Sequence, residues 1–560
     1  MQKITVQLML LRIYLNSKKI YGNLILDSQQ IQPLVNNQSR SVSVFFSENI
    51  LHKINFHPRI DIDYICILCY LMVIKSERKK TMKMKKLTSL LLCLAMLISL
   101  CGFQTYAVDA DNWSSYFDEY SGTYGNVLMN PGSNDSERNF SWYSAKGSKN
   151  CKVLISENED MSNSVSFGGK VSSTPESDCV NKVTVTGLKE NTKYYYQCVN
   201  SKGESAVKSF STIDGNSFTA MYVTDIHVTY EEDGMENSLK TESGNVNRLL
   251  TAAASKKNID LVISAGDQAS YGLRSEYVSL LASPLWSSIP FALCPGNHDR
   301  KGFDYKYFNN NPNKYTKGIS SYIANDYWYV KGDVLFLVFD SNCFAAATHR
   351  AFARDAAAKN PDVKWKVAAF HHDMYGVMSE KRMTYSKDYL RPIFGEICDE
   401  IGVDLVFTGH THHYTMSNAV FGTETTDSIE GKDSITDPRG TIYMVSSSIN
   451  HPRGEENTRG DVFDENIGYI YLSDEVIYNL VDFTEDSITV SSYTIDGSEP
   501  FRTFTINKTS KNGGHPQYSE KEDLKSSDFK MEFKAFFEEL GIAIKVIFNR
   551  FEILKKQDLI

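Results

Sequence analysis

At 560 residues the chain is too long for one ordinary hydrophobic core and calls for two or three domains. Its composition is that of a globular protein, and a formal net charge of -9 argues against a nucleic-acid binder held by phosphate contacts. A small anionic substrate would need a local cation to offset that acidic field.

The first informative segment lies well inside the numbering. Met82-Lys83-Met84-Lys85-Lys86 is basic, 87–103 is almost uninterruptedly apolar, and Thr105-Tyr106-Ala107 followed by Val108-Asp109-Ala110 supplies small residues. That order predicts a secretory signal peptide over 82–107 and an exported protein, secreted or held at the cell surface. A membrane anchor is the alternative, the run being close to the roughly 18-residue minimum for a span. Leu100 stands where a lipoprotein reading through Cys101 wants a small residue. Because a signal has to be N-terminal, residues 1–81 read as a mis-called start, and the Cys66-x-x-Cys69 within them has no second pair to make a metal site. Cys151, Cys179, Cys198, Cys294, Cys343 and Cys398 follow the signal. Export permits disulfides, and the pairing to entertain is among the first three, which share one small domain.

Over 112–213, short β-type runs at 140–143, 151–155, 182–185, 194–199 and 206–210 alternate with Gly, Asn and Ser, predicting a β-sandwich. The stretch from Val185 through Leu188 to Tyr194-Tyr195-Tyr196 resembles the tyrosine corner of a fibronectin type III-like domain. From 217 to 505 apolar runs of strand length alternate with helical stretches such as 246–257 and 387–402, predicting an α/β domain that closes with a strand pair at 478–483 and 487–493. A connector at 510–527 leads to an amphipathic helix over 528–556, with Phe529, Phe533, Phe536, Leu540, Ile544, Ile547, Phe551 and Leu554 at helical spacing. The leading expectation is that this face docks on the catalytic domain, with a membrane surface or a second copy as alternatives.

Five polar clusters each follow an apolar run. Asp225-Ile226-His227 follows Phe218–Val223, Gly266-Asp267 follows 261–263, and Gly296-Asn297-His298-Asp299 follows Phe291–Leu293. His371-His372 follows 367–370, and Gly409-His410-Thr411-His412 follows 405–407. Strands of one sheet deliver their C-terminal ends to a common edge, so clusters far apart in sequence can converge. Of the ten histidines after the signal, seven lie in or beside these clusters, a concentration that an unselected surface would not show. Carboxylate, carboxamide and imidazole together suit Zn, Mn or Fe, whereas Ca and Mg prefer oxygen-only shells.

In this order the motifs resemble the calcineurin-like metallophosphoesterase family over about 217–480, and with the sandwich in front the whole is similar to the purple acid phosphatase-like members. The resemblance implies a four-layer α/β/β/α sandwich with a dinuclear site. It places Asp225, His227 and His412 on a first metal, Asn297, His371 and His410 on a second, with His372 the alternative to His371, and Asp267 between them. His298 is then a non-ligand that contacts the substrate phosphate and serves as general acid. The cofactors are two divalent or trivalent transition-metal ions, Mn, Zn or Fe.

One departure bears on the metal. The purple enzymes have Gly at the position of His227 and a Tyr three residues after the bridging Asp, where this chain has Ser270, with Tyr271 one residue late. A purple Fe(III)–Tyr centre is therefore not expected. Two cations about 3.5–4 Å apart can share a hydroxide near neutral pH for in-line attack on phosphorus, and Asp267, on which both depend, is the most sensitive position. The substrate expected is a small phosphorylated molecule, phosphomonoesters or nucleotides ahead of phosphodiesters, with no other nucleic-acid binding. Tyr271, Arg300, Tyr375 and His413 are candidate neighbours of that substrate only because they flank the motifs, with ordinary surface as the leading alternative for each. The competing reading is a cell-surface binding protein with an inactive phosphoesterase domain, and the filling of all seven ligand positions speaks against it.

Overall fold

A computed structural model describes residues 126–174, 178–229, 235–457, 460, 462–520 and 524–556. The expected signal segment and the stretch before it lie outside these residues.

The first β-domain packs two antiparallel sheets. One holds Val127–Pro131, Arg138–Ser144, Cys179–Val185 and Lys170–Ser173, the other Val165–Gly168, Lys152–Ser156, Lys193–Asn200, Gly203–Glu204 and Lys208–Ser211. Alternate residues of the strand Lys193–Asn200 point inward, so Tyr194, Tyr196 and Cys198 join Phe140, Trp142, Val153 and Phe210 in one core. The tyrosine corner closes as the Lys189 N–H donates to the Tyr194 hydroxyl at 2.9 Å. The disulfide expectation is corrected: Cys151, Cys179 and Cys198 are all free and buried. Cys179 lies in the opposite sheet, and Cys198 faces Val153 across its own sheet rather than Cys151.

The second domain is built on two seven-stranded mixed sheets. In the first, Phe291–Leu293, Leu261–Ser264 and Phe218–Val223 run parallel, and Ile477–Phe483, Ser487–Thr494, Arg502–Asn507 and Ser434–Thr436 extend the edge. In the second, Val334–Val338, Trp365–His372, Leu405–Gly409 and Ile442–Val445 are parallel at the centre. The strands read as continuous apolar runs because both faces are covered. Ala220, Tyr222, Leu261 and Ile263 share a core with Leu335, Leu337, Val367 and Phe407 of the other sheet. Met221, Val223 and Val262 turn outward onto the helix Met235–Lys256 through Leu239, Val246 and Leu250. Helices Ala346–Lys359 and Glu396–Ile401 supply buried residues to the second sheet.

The helical stretch expected at 387–402 begins earlier, at Glu380, and its middle, Ser386–Gly395, has the wider π-helical turn around Pro392. A proline has no N–H for the normal ladder and crowds the preceding turn, so the backbone widens there.

The last helix runs Leu524–Lys556, starting before the expected 528. The connector ahead of it is tied down: His515 Nε2 lies 3.2 Å from Asp404 Oδ1, and Tyr518 donates to Glu396 at 3.1 Å. The helix docks on its own domain, but not by the expected stripe. Ala535 is buried against Cys343 and Ala345, Asp528 pairs with Arg350 at 2.8 Å, and Glu539 pairs with Arg300. Phe529, Phe533, Phe536 and Ile544 are exposed instead, because the receiving surface presents arginines that need carboxylates. Ile547, Phe551 and Leu554 lie outside the described side chains.

Candidate metal centre

All five clusters lie at the C-terminal ends of parallel strands, three from the first sheet and two from the second. Asp225, His227, Asp267, His410 and His412 all have positive φ, between 49° and 76°. For residues other than glycine this conformation costs about 1–3 kcal/mol each, and it persists only where surrounding structure imposes it. It turns each side chain sharply off its strand end and back toward its neighbours.

The carboxylates are aimed by backbone donors. The His410 N–H reaches Asp225 Oδ2 at 2.8 Å and the His298 N–H reaches Asp267 Oδ1 at 2.7 Å, leaving the other oxygen of each to face inward. The imidazoles are aimed from behind. His412 Nδ1 lies 2.9 Å from the His451 carbonyl and His371 Nδ1 lies 3.0 Å from the Ala265 carbonyl. A carbonyl only accepts, so both Nδ1 atoms carry the proton and both Nε2 atoms turn a lone pair inward.

Those inward atoms crowd one another. His227 Nε2 and His412 Nε2 are 3.2 Å apart, and His412 Nε2 is 3.1 Å from Asp225 Oδ1. Around His371 Nε2 stand Asn297 Oδ1 at 3.1 Å, Asp267 Oδ2 at 3.2 Å and His410 Nδ1 at 3.3 Å. Asp267 Oδ2 also lies 3.7 Å from His227 Nε2, between the two groups. Asp225 Oδ1 is buried with no hydrogen-bond partner. Two carboxylates with oxygens within 4.8 Å of each other repel by about 3 kcal/mol at an effective dielectric near 20. An array of converging lone pairs and anions is stable around cations, so the donor set fits two metal ions. The groups Asp225–His227–His412, Asp225–Asp267–His371 and His227–Asp267–His298 each bring ligand atoms within 4.8 Å.

Burial works to raise the Asp225 carboxyl, but the imidazoles of His412 and His227 outweigh it and hold it well below the usual range; Asp267 is lowered likewise by His371. Burial works to lower His371, yet Asp267 lifts it to about 9. A proton there competes with a metal for the same lone pair. Burial pushes His298 down to about 4 and His372 down to about 3. His372 Nδ1 lies 2.9 Å from the Ser341 hydroxyl, and its ring stands 4.7 Å from that of His410.

Of the expected substrate neighbours, Tyr271 is exposed, whereas Arg300 is held by the Asn342 carbonyl at 2.8 Å and by Glu539. Tyr375 and His413 are corrected: both are buried, and Tyr375 packs on Tyr443 with the Arg391 guanidinium 4.3 Å from its ring centre. Sequence reasoning missed the loop after Ile442–Val445, where Ser448 donates to the Asp225 carbonyl at 2.6 Å and His451 holds His412. An apolar run followed by serines and a histidine was the signal available. Asp299 also had no role assigned. Its carboxylate accepts from Gly296 N–H at 2.8 Å and Tyr277 hydroxyl at 2.7 Å, bracing the turn, and burial raises it to about 7.

Fold and cage together define a metal-binding α/β domain carried behind a β-sandwich. Residues 218–414 match the calcineurin-like phosphoesterase family, and residues 125–212 match the purple acid phosphatase N-terminal domain. The chain thus carries a calcineurin-like phosphoesterase domain behind a purple acid phosphatase N-terminal domain. Purple acid phosphatase 15 of Arabidopsis thaliana is 24% identical over 303 residues, 48% of this chain and 53% of that protein, so the match spans about half the relative's length. The solved purple acid phosphatase PPD1 from yellow lupin (Lupinus luteus) seeds superposes with a TM-score of 0.53 at 14% identity, covering 70% of this chain and 75% of that one. That likeness is one of fold.

Proposed function

We propose that this protein hydrolyses small phosphate esters, phosphomonoesters or nucleotides ahead of diesters, outside the cell. The observation that carries the reading is the convergence of seven donors into two sets that share Asp267. Asp225, His227 and His412 would hold one ion, Asn297, His371 and His410 the other, with Mn, Zn and Fe as the candidates for this donor set. Bound there, two such ions would supply Lewis acidity toward phosphate oxygens and acidify water.

The chain's own residues do the rest. His298 stands at the edge of the cage, its ring 4.6 Å from that of His227, where it meets a departing oxygen and gives it a proton. Asp267 keeps its ionised form through the His371 contact and anchors the His298 backbone, so one residue aligns ligand and acid. Export rests on the basic, apolar and small-residue order of 82–107.

The test is metal content with hydrolysis of p-nitrophenyl phosphate and bis-p-nitrophenyl phosphate, for the protein and for Asp267→Asn. About two metals per chain, and turnover that disappears in the variant, are expected for such a site. No metal and no turnover after reconstitution with Mn, Zn and Fe would instead leave a binding protein.

A further inference from the structure

The last helix is sorted by charge. Over 524–545 it carries four lysines and four acids and is neutral in sum, yet the two signs occupy different sides. Asp528 pairs with Arg350 at 2.8 Å, Glu539 pairs with Arg300, and Glu532 accepts from the Thr348 N–H at 3.3 Å, so three of the acids face the domain. The fourth, Glu538, lies 3.6 Å from Lys534 and offsets it. Lys525, Lys530 and Lys545 are exposed on the remaining surface.

Apolar groups share that surface. Phe529 is 70% exposed, and Phe533, Phe536, Phe537 and Ile544 are exposed with it. The Phe537 ring centre stands 5.0 Å from that of Phe533 and 5.3 Å from that of Phe536, so the aromatics are continuous. At 3.6 residues per turn the five groups cover about 100° of the helix, with Lys525 along one margin and Lys530 along the other. A row of exposed rings that packs nothing of its own domain marks a contact surface. A second copy seated through the same patch would set lysines against lysines, because a two-fold interface brings a surface onto itself. A bilayer takes both components: the rings enter the boundary between headgroups and acyl chains, and the lysine stems lie along it with their ammoniums at anionic headgroups. No described helix is long and apolar enough to cross a membrane.

We propose that this face of the last helix docks on a lipid bilayer with anionic headgroups, lying in the plane of the interface. The net charge of -9 opposes approach to such a surface. Charges more than about 8 Å away are screened at physiological salt, so the lysines at the contact decide. Docking is independent of the phosphate-ester reading, since none of these side chains belongs to the metal centre.

The test places a reporter on the face of the full chain. Phe533→Trp adds an indole whose emission is followed, against that of the wild-type protein, on vesicles with brominated acyl chains made of phosphatidylcholine alone or mixed with phosphatidylglycerol. Quenching of the added indole by the mixed vesicles is expected, weakening as salt is raised. Adding Lys525→Gln, Lys530→Gln and Lys545→Gln is expected to raise the lipid concentration for half-quenching by roughly 100-fold, about fivefold for each lysine. Phe529→Trp is a second reporter on the same face, and circular dichroism midpoints equal to the wild type show that the variants fold. No quenching at either position, equal quenching on phosphatidylcholine alone, or a shift under about twofold on removal of the lysines would overturn the proposal. So would a blue shift of the indole with protein concentration in the absence of lipid, which would make a second copy the occupant.

Discussion

Gly296 carries no side chain because the Asp267 carboxylate occupies the space that one would fill, and Gly409 is bare for the same reason beside Asp225 and Thr224. Gly266 has φ of +105°, and a Cβ there would come 2.8 Å from the Cβ of His371. These glycines are clearance for ligands, and their conformational cost is accepted only where backbone and carboxylate must approach closely. Gly296→Ala is therefore expected to displace Asp267: metal content by elemental analysis falls to about one per chain or fewer and turnover falls with it, since on the proposed reading both ions share that carboxylate. A full metal complement in this variant would contradict the bridging role.

The last helix shows how a sequence pattern and a docking face come apart. Its exposed aromatics and its buried side lie on different faces, with Ala535 1% and Phe533 61% exposed. Ala535→Asp places a charge against Cys343 and Ala345 and is expected to cost about 2–3 kcal/mol and to free the helix for proteolysis. Phe533→Ser removes the larger apolar group yet is expected to stay within about 0.5 kcal/mol. Denaturant midpoints of the two variants decide it, and the reverse order would mean that the aromatic stripe is the face that holds the helix. Docking also reaches the site, because Glu539 grips Arg300 two residues beyond His298.

Across the whole molecule, the sandwich is joined to the catalytic domain by specific polar contacts. Asn310 donates to the carbonyls of Phe140 and Val183, each at 3.2 Å, and its own N–H reaches Asn130 Oδ1 at 2.9 Å. Tyr196 donates to the Ser287 carbonyl at 2.8 Å and Asn130 to the Phe291 carbonyl at 2.9 Å, next to the strand that carries Asn297 and His298. Asn310→Ala leaves two carbonyls short of a donor, a loss of about 1–3 kcal/mol. The expected outcome is a lower midpoint of one shared unfolding transition, followed by tryptophan fluorescence and circular dichroism. Two separated transitions would show that the domains fold independently.

The residues of the candidate cage were legible in the sequence because each is announced locally, by an apolar run that ends in Asp, Asn or His; that these runs fall in two sheets, three strands in one and two in the other, whose C-terminal ends meet, was decided only by the tertiary structure. The two-domain order was legible for a similar reason: the spacing of apolar runs changes near 217. What only the tertiary structure decided depends on neighbours remote in sequence. His412 takes its tautomer from His451, Asp225 its orientation from His410 and Ser448, and the last helix its docked face from Arg300 and Arg350. Periodicity records which residues share a face; what that face meets is set by packing between distant segments, and a buried arginine that needs a carboxylate outweighs a row of phenylalanines.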